Sequence, residues 1–216
     1  MLLYIMRHGE TDYNVDGRIQ GWVDTELNEN GQKFGRLTAE GGMKDIPFDL
    51  VIASPLKRAV QSARLAIGER DIPFIYEPRI RERRSDEWDG YTNEELVAQG
   101  YEEEIKIFWT DPMKFQGAPK DENMHDVIAR TGEFFEELIH NPEYQDKTIL
   151  IATHGCAMRG IMYSLYEDKE DYWRGSVPLN YAVSILSVEN GKVTILEDNK
   201  VYYDRSLVED HYAFIK

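Results

Sequence analysis

Two histidines in this chain follow apolar runs in the same way. His8 lies in the segment 7–11 (RHGET), directly after the run 2–6 (LLYIM), and His154 directly follows the run 148–153 (TILIAT). Packing alone does not explain two buried strands that each end in His-Gly. In open α/β sheets, ligands bind at the carboxyl ends of the strands. We therefore expect both imidazoles to belong to a ligand site.

Two arginines indicate the chemistry of this site. Arg7 precedes His8, and Arg58 lies in the segment 54–59 (SPLKRA), which follows another apolar run. A guanidinium is a planar fork that binds two phosphate oxygens at once, which a lysine cannot do. A histidine is largely neutral near pH 7 and can act as a nucleophile. These residue types predict phosphoryl transfer, which depends mainly on positioning and electrostatics.

The composition excludes several classes of partner. The 216 residues carry a net charge of −15, which argues against nucleic acid and anionic membranes, since both need a basic surface. No apolar run reaches the roughly 18–20 residues that cross a bilayer, so the expected location is the cytoplasm. A single cysteine, Cys156, excludes an intramolecular disulfide. The histidines lack metal-ligand spacing, so we expect no metal and no cofactor.

The hydrophobic pattern predicts strands that alternate with helices, and therefore a mostly parallel sheet. Strands are expected at 2–6, 48–53, 74–76, 148–153, 181–188 and 192–196, and helices at 28–40, 56–67, 124–139 and from 154 through 166. The last two strands form a hairpin at Asn190-Gly191 and add an antiparallel member. The segment 91–120 is expected to lie outside the sheet as an inserted helical lid of a single domain, 1–216.

The order of the three segments around His8, Arg58 and His154 resembles the histidine phosphatase superfamily, also called the phosphoglycerate mutase-like family. The resemblance covers the chain from Leu3 to about Leu196. It implies a three-layer α/β/α sandwich with a mostly parallel central sheet and one antiparallel strand. It also implies a phosphohistidine mechanism in which His8 is the nucleophile, with Arg7, Arg58 and His154 in the catalytic site.

Such a mechanism needs one carboxylic acid that protonates the leaving group and then accepts a proton from water. The family pattern, counted back from Trp-acid-Gly at 88–90, assigns this role to Glu82, and Glu87 is the alternative. The loop 83–86 (RRSD) departs from the aromatic-Gly pair that phosphatase-like members usually carry. It adds cations that could contact the substrate.

The resemblance also gives candidate substrate-binding residues: Thr11, Asn14, Arg18, Gln20, Gly21, Glu122 and Gly155. Asn14 would donate its amide to a phosphate oxygen or act as a turn residue, and Thr11 would contact phosphate or cap the first helix. The loop 17–21 forms one wall of the pocket in relatives. Glu122 would support the arginines or simply lie in the first turn of a helix.

The favoured activity is a phosphatase that hydrolyses a small phosphorylated metabolite. A phosphoglycerate mutase is the first alternative, and a non-catalytic phospho-ligand binding protein is the second. The Trp-acid-Gly ending favours hydrolysis, because mutases of this family carry a different sequence after the catalytic glutamate. Specificity is expected in the segment 91–120, although packing is favoured over ligand contact for Tyr101, Phe108, Trp109 and Phe115. The tail 202–216 could dock on the body or on a second subunit, so a homodimer stays open.

Overall fold

The central sheet has six strands in the order β3-β2-β4-β1-β5-β6 in the computed structural model, which describes residues 1–68, 70–118 and 120–208. The strands are β1 (Leu2–Arg7), β2 (Leu50–Ala53), β3 (Phe74–Tyr76), β4 (Thr148–Thr153), β5 (Val183–Glu189) and β6 (Lys192–Lys200). Only β5 runs against its neighbours β1 and β6. The expected mostly parallel sheet with one antiparallel strand is confirmed.

Seven α-helices surround this sheet in the described part of the chain: α1 (Asp12–Val15), α2 (Glu29–Glu40), α3 (Lys57–Ile67), α4 (Asn93–Ala98), α5 (Glu102–Thr110), α6 (Met124–His140) and α7 (Gly155–Met162). Short 3-10 turns occur at Met43–Asp45, Pro78–Ile80, Pro112–Lys114, Pro142–Tyr144, Tyr163–Leu165 and Arg205–Leu207. No helix in the described ranges is long and apolar enough to cross a membrane.

Side-chain alternation along the strands divides the core into two layers, one on each face of the sheet. Leu3 and Ile5 face a cluster that contains Phe134 and Phe135 of α6 and Met158 and Ile161 of α7. Met6 faces the opposite cluster with Phe34 of α2 and Ala63 and Ile67 of α3. The three-layer α/β/α arrangement follows from these two buried faces.

Several predicted boundaries were wrong. The hairpin strand begins at Val183 rather than 181, because Tyr181 has a φ of 59° and is therefore not extended. Its partner β6 continues to Lys200, and β2 begins at Leu50 because Phe48 closes a turn on Ile46. The helix after β4 ends at Met162 and continues only as a 3-10 turn to Leu165.

The described part of the segment predicted as a lid lies outside the sheet and packs in a third core. This core joins Phe108 of α5 and Phe115 to Trp88, Trp173 and Met124 at the start of α6. Pro119 lies outside the described residues. That this segment acts as a lid of a single domain stays a prediction.

The first residues of the tail dock on the body of the protein. The ring of Tyr203 packs on Phe34, with centroids 4.8 Å apart, and its hydroxyl donates to the carbonyl of Asn180 at 2.6 Å. Residues 209–216 of this tail lie outside the described residues.

Candidate active site

The strand register brings the two histidines together. β1 and β2 both pair in parallel with β4, so that Arg7 lies beside Thr153 and Ala53 beside Ala152. The residues that follow these strands therefore meet at the same sheet edge. The imidazole centroids of His8 and His154 are 5.2 Å apart, and both side chains are buried.

The His8 imidazole is held in one tautomer. Its Nδ1 lies 2.7 Å from the carbonyl oxygen of Gly9, which can only accept, so Nδ1 carries the proton. The neutral ring then has its lone pair on Nε2. Burial lowers the pKa of His8 well below its usual value, and the charges of Arg58 and Arg7 lower it further. A neutral ring with one available nitrogen is the form that can attack phosphorus.

Close packing fixes the loop that carries His8. Gly9 donates its backbone N–H to Ser62 Oγ at 2.8 Å, and a Cβ at this position would overlap the Tyr181 ring. The Tyr181 hydroxyl in turn donates to the carbonyl of Gly31 in α2. Asn180 donates its side-chain amide to the carbonyl of His8 at 2.9 Å. The position of the imidazole therefore depends on contacts with several distant segments.

Arg58 and His154 form a buried pair next to His8. Arg58 Nε donates to His154 Nδ1 at 3.2 Å, so His154 donates through Nε2 to Ser54 Oγ at 2.7 Å. Burial lowers the pKa of Arg58 to about 10, which leaves it charged at neutral pH. Burial also lowers the pKa of His154 well below the usual value, followed by the charge of Arg58. One cation thus lies against two neutral imidazoles.

Arg58 also anchors the loop before it in the chain. Its Nη1 donates to the carbonyl of Val23 at 2.8 Å, and its Nη2 donates to the carbonyl of Gly21 at 2.7 Å. Gly21 therefore supports Arg58 through its backbone.

The carboxylate of Glu82 lies at the amino end of α7. It accepts backbone N–H groups from Arg83 at 2.8 Å, Cys156 at 3.1 Å and Ala157 at 3.3 Å. A helix amino terminus is a favourable place for negative charge. Because α7 starts directly after His154, the same segment fixes the second histidine and the acid. Glu87, the alternative acid, is exposed.

A cavity of about 320 Å³ lies beside His8 and Glu82. It is lined by the predicted site residues Arg7, His8, Asn14, Arg18, Gln20, Glu82 and Gly155, and by Arg83, Phe108, Trp109, Cys156 and Trp173 among others. Arg58, His154, Thr11, Gly21, Glu122 and Glu87 are not among the lining residues. Of the four aromatic residues considered for specificity, Phe108 and Trp109 reach the cavity, while Tyr101 and Phe115 pack in the third core.

Thr11 and Asn14 bond to each other at the start of α1. Thr11 is the N-cap of α1 and accepts the backbone N–H of Asn14, whose Oδ1 accepts the backbone N–H of Thr11 in return. Since Oδ1 is used in this way, the donor of the Asn14 amide is its Nδ2. Gln20 Oε1 accepts from Thr11 Oγ1 at 3.1 Å, so it also presents an amide donor. Asn14 and Gln20 are thus neutral polar residues of the cavity wall.

Glu122 does not line the cavity and is bound to Arg130. Its carboxylate accepts Arg130 Nε at 2.7 Å and Nη2 at 2.8 Å, and it accepts the backbone N–H of Arg84 at 2.8 Å. Arg130 then donates to the carbonyls of Arg79, Arg81 and Glu82. Arg130 has no local sequence signal, because its partners come from a loop about 50 residues earlier.

The outer wall is formed by Arg18. It pairs with Glu95 at 2.9 Å and also donates to the carbonyl of Gly90.

Within residues 1–68, 70–118 and 120–208, no group of three or more His, Cys, Asp or Glu residues could hold a metal ion. The arrangement provides cations, a neutral imidazole and a carboxyl group around one small cavity, which suits the transfer of a phosphoryl group.

Comparison with known proteins finds one matching family and several similar proteins. The sequence model of the histidine phosphatase superfamily (branch 1) matches residues 3–200. Phosphoserine phosphatase 1 of Hydrogenobacter thermophilus is 30% identical over 98% of both chains. The 2,3-bisphosphoglycerate-dependent phosphoglycerate mutase of Nocardia farcinica is 29% identical over 83% of this chain and 85% of the mutase.

A solved structure has a similar fold over most of the chain. Bacillus stearothermophilus YhfR superposes with a TM-score of 0.85 and 27% identity, covering 93% of this chain and 97% of YhfR. The sequence match over residues 3–200 and this structural similarity together place the chain in the histidine phosphatase superfamily, branch 1.

Proposed function

We propose that the protein is a phosphatase that hydrolyses a small phosphomonoester through a phosphohistidine on His8. The observation that carries the proposal is the state of this imidazole. Its Nδ1 proton is bound to the Gly9 carbonyl at 2.7 Å, and its pKa is lowered by burial and by Arg58 and Arg7. His8 and Glu82 line the same cavity.

In the first step, Nε2 of His8 attacks phosphorus and forms a P–N bond while the P–O bond to the leaving alcohol breaks. Glu82, in its acid form, gives its proton to the departing oxygen. Arg7 and Arg58 offset the negative charge of the transferred group. In the second step, Glu82 accepts a proton from water as the water oxygen attacks phosphorus. The P–N bond breaks, and phosphate and the free imidazole are restored.

The loop 85–90 favours hydrolysis over mutase activity. Trp88 is buried against Phe108 and Phe115, and Asp89 accepts the backbone N–H groups of Gly21 and Val23. This Trp-acid-Gly segment belongs to the phosphatase-like pattern, and Trp88 packs behind Phe108, which lines the cavity. A mutase remains the second candidate, because relatives of both kinds match the chain.

The proposal is tested by measuring phosphate release from 4-nitrophenyl phosphate and from a panel of phosphorylated metabolites. The same preparations are assayed for interconversion of 2- and 3-phosphoglycerate with added 2,3-bisphosphoglycerate. We expect phosphate release that persists in excess chelator, since the charge on phosphate is offset by arginines. Mutase turnover that exceeds phosphate release would instead support the second candidate.

A His8→Ala variant tests the covalent step. We expect it to lose essentially all phosphate release and the acid-labile phosphoenzyme that wild-type protein forms on rapid acid quenching. His140→Gln is the matched control, because His140 is exposed on α6. Full turnover by the His8 variant would refute the nucleophile assignment.

A further inference from the structure

The carboxylate of Asp89 holds two residues of the loop between α1 and α2. One of its oxygens accepts the backbone N–H of Gly21, and the other accepts that of Val23 at 3.1 Å. Ser85 Oγ donates to the first oxygen at 3.2 Å and fixes the carboxylate from within its own loop. Because both oxygens are used, Asp89 supports the segment 21–23 at two points.

The same two residues bind Arg58 through their carbonyl groups. Nη2 donates to the carbonyl of Gly21 at 2.7 Å and Nη1 to that of Val23 at 2.8 Å, while Nε donates to His154 at 3.2 Å. In the described part of the chain, no carboxylate forms an ion pair with Arg58. The orientation of this buried guanidinium therefore depends on two carbonyl groups whose residues are held by Asp89.

Close packing leaves this supporting segment little freedom to move alone. A Cβ on Gly21 would overlap Ser85 Oγ and would lie 2.9 Å from an oxygen of Asp89, so only glycine fits there. At the other end of the segment, Asp24 Oδ1 accepts the backbone N–H of Lys57, the first residue of α3, at 2.7 Å. The segment is thus fixed between the loop of Asp89 and the helix that carries the arginine.

The charges of Asp89 and Arg58 also act on each other. Burial lowers the pKa of Arg58 to about 10, and the charges of Glu82 and Asp89 oppose this effect. Burial raises the pKa of Asp89, and its hydrogen bonds with Gly21 and Val23 and the charge of Arg58 oppose that effect in turn. Each group therefore favours the charged form of the other.

We propose that Asp89 is a positioning residue that orients the Arg58 guanidinium beside His8 for binding of the phosphoryl group. This inference rests on the proposed function, in which Arg58 offsets the negative charge of the transferred group. Four hydrogen bonds connect the carboxylate to the guanidinium through Gly21 and Val23. A displacement of about 1 Å at a catalytic group can cost about a hundredfold in rate, so the loss of one support should be measurable.

Asp89→Asn removes half of this support at nearly the same side-chain size. The amide has one acceptor oxygen, and its NH2 group would face the second backbone N–H. With orthovanadate as a phosphate mimic, we expect the Kd measured by calorimetry to rise about five- to twentyfold. The kcat should fall by similar factors for an alkyl phosphate and for 4-nitrophenyl phosphate, because Arg58 acts on the phosphoryl group rather than on the leaving oxygen.

The same change on an Arg58→Gln background separates positioning from a general structural defect. If Asp89 acts through Arg58, Asp89→Asn should alter the vanadate Kd by less than about twofold once the arginine is absent. Equal weakening on both backgrounds overturns the inference. If Arg58→Gln unfolds, the Arg58 Nε–H resonance of protein labelled with ¹⁵N-arginine carries the test. Asp89→Asn should shift this resonance and speed its exchange with water, and an unchanged resonance overturns the inference.

Asp86→Asn is the matched control, because it removes the same charge from the same loop and Asp86 is exposed and does not line the cavity. It should leave the vanadate Kd, the kcat and the Arg58 resonance at their wild-type values. Weakening equal to that of Asp89→Asn would assign the effect to net charge and overturn the inference. Wild-type protein that binds vanadate but releases no phosphate would contradict the proposed hydrolysis alone, because vanadate binding requires no turnover.

Discussion

His8 and Glu82 show how backbone contacts prepare two side chains for different roles. A carbonyl fixes the proton on His8 Nδ1, while backbone N–H groups of Arg83, Cys156 and Ala157 hold the Glu82 carboxylate. The orientation of both side chains is therefore set mostly by the backbone that follows β1 and β4.

Replacing Glu82 by Gln tests its role as proton donor. Because a poor leaving group needs the proton most, we expect the kcat for an alkyl phosphate to fall by about a hundred- to ten-thousandfold. The kcat for 4-nitrophenyl phosphate, whose leaving group needs little protonation, should fall much less. The two rates are measured by phosphate release.

Glu87→Gln is the matched control, because Glu87 is exposed and does not line the cavity. An equal loss for good and poor leaving groups in Glu82→Gln, or a larger loss in Glu87→Gln, would show that the acid is elsewhere.

The buried histidines should make the protein less stable below about pH 6.5, the ordinary pKa of histidine. Burial, followed by Arg58, lowers the pKa of both His8 and His154 in the folded state. As the pH falls, the unfolded chain therefore takes up protons that the folded chain refuses. The free energy of unfolding should then decrease by up to about 1.4 kcal/mol per pH unit for each histidine.

Urea unfolding at about pH 7.5 and pH 5.5 measures this effect. A His8→Gln variant should show a smaller decrease between the two pH values than wild-type protein, whereas the exposed His140→Gln control should match wild type. Burial raises the pKa of Asp89 and of Asp121. These two carboxyl groups bind protons more readily in the folded state, so they stabilise the protein as the pH falls and oppose the effect of the histidines. The effect of His8 is therefore measured by comparing variants. Identical pH dependence in wild type and His8→Gln would contradict the prediction.

At the level of elements, helix α6 controls the loop that carries Glu82. Arg130 on this helix donates to the carbonyls of Arg79, Arg81 and Glu82, and its own orientation is fixed by Glu122. Trp22 Nε1 donates to the same Glu82 carbonyl at 2.7 Å. We infer that Arg130 is a positioning residue that acts through Glu82.

An Arg130→Met variant should therefore resemble a weak form of Glu82→Gln. We expect kcat for an alkyl phosphate to fall about ten- to a hundredfold, with a smaller loss for 4-nitrophenyl phosphate, since a misplaced acid harms poor leaving groups most. Arg64→Gln is the control, because Arg64 is exposed on α3. Equal losses on both substrates would indicate a general structural defect instead.

Local patterns predicted the elements better than the contacts between them. The runs 74–76 and 148–153 were predicted with the bounds of β3 and β4, because each run is mostly apolar and ends directly before a polar residue, Glu77 or His154. The start of β5 was missed, since the left-handed backbone of Tyr181 leaves no signal in its residue type. Arg130 was missed for a related reason, because the carbonyls that it binds are brought to it only by the tertiary fold.

Site residues were easier to predict where their sequence neighbours locate them than where their contacts depend on the tertiary fold. Residues that follow strands, such as His8 and His154, were located by their sequence neighbours, and the fold brings them within 5.2 Å. The catalytic roles of these residues stay predictions. Thr11 and Glu122 were candidate substrate-binding residues, each with a structural alternative, and the structure shows Thr11 as a helix cap and Glu122 in a salt bridge with Arg130. Both residues have ordinary structural uses that the resemblance alone could not separate from binding.

At the level of the whole molecule, the net charge of −15 opposes the approach of a phosphate ester. The arginines of the candidate site are enclosed, since Arg7 and Arg58 are each at most 3% exposed. The negative potential of the whole protein repels polyanions at long range. A small anion that reaches the cavity is held by short-range contacts instead. The exposed residues Glu102, Glu103 and Glu104 begin α5, whose Phe108 and Trp109 line the cavity.

Replacing these three glutamates by Gln should raise kcat/KM for a dianionic phosphate ester at low salt. At an ionic strength of about 0.01 M the screening length is about 30 Å, so the lost repulsion should increase kcat/KM about two- to fourfold. At about 1 M the screening length is about 3 Å, and variant and wild type should converge. Initial rates of phosphate release across this salt range measure the effect, with circular dichroism to confirm that α5 is retained. A variant that equals wild type at low salt would show that the acidic surface does not act on the substrate, and the charges at the cavity would then account for anion binding alone.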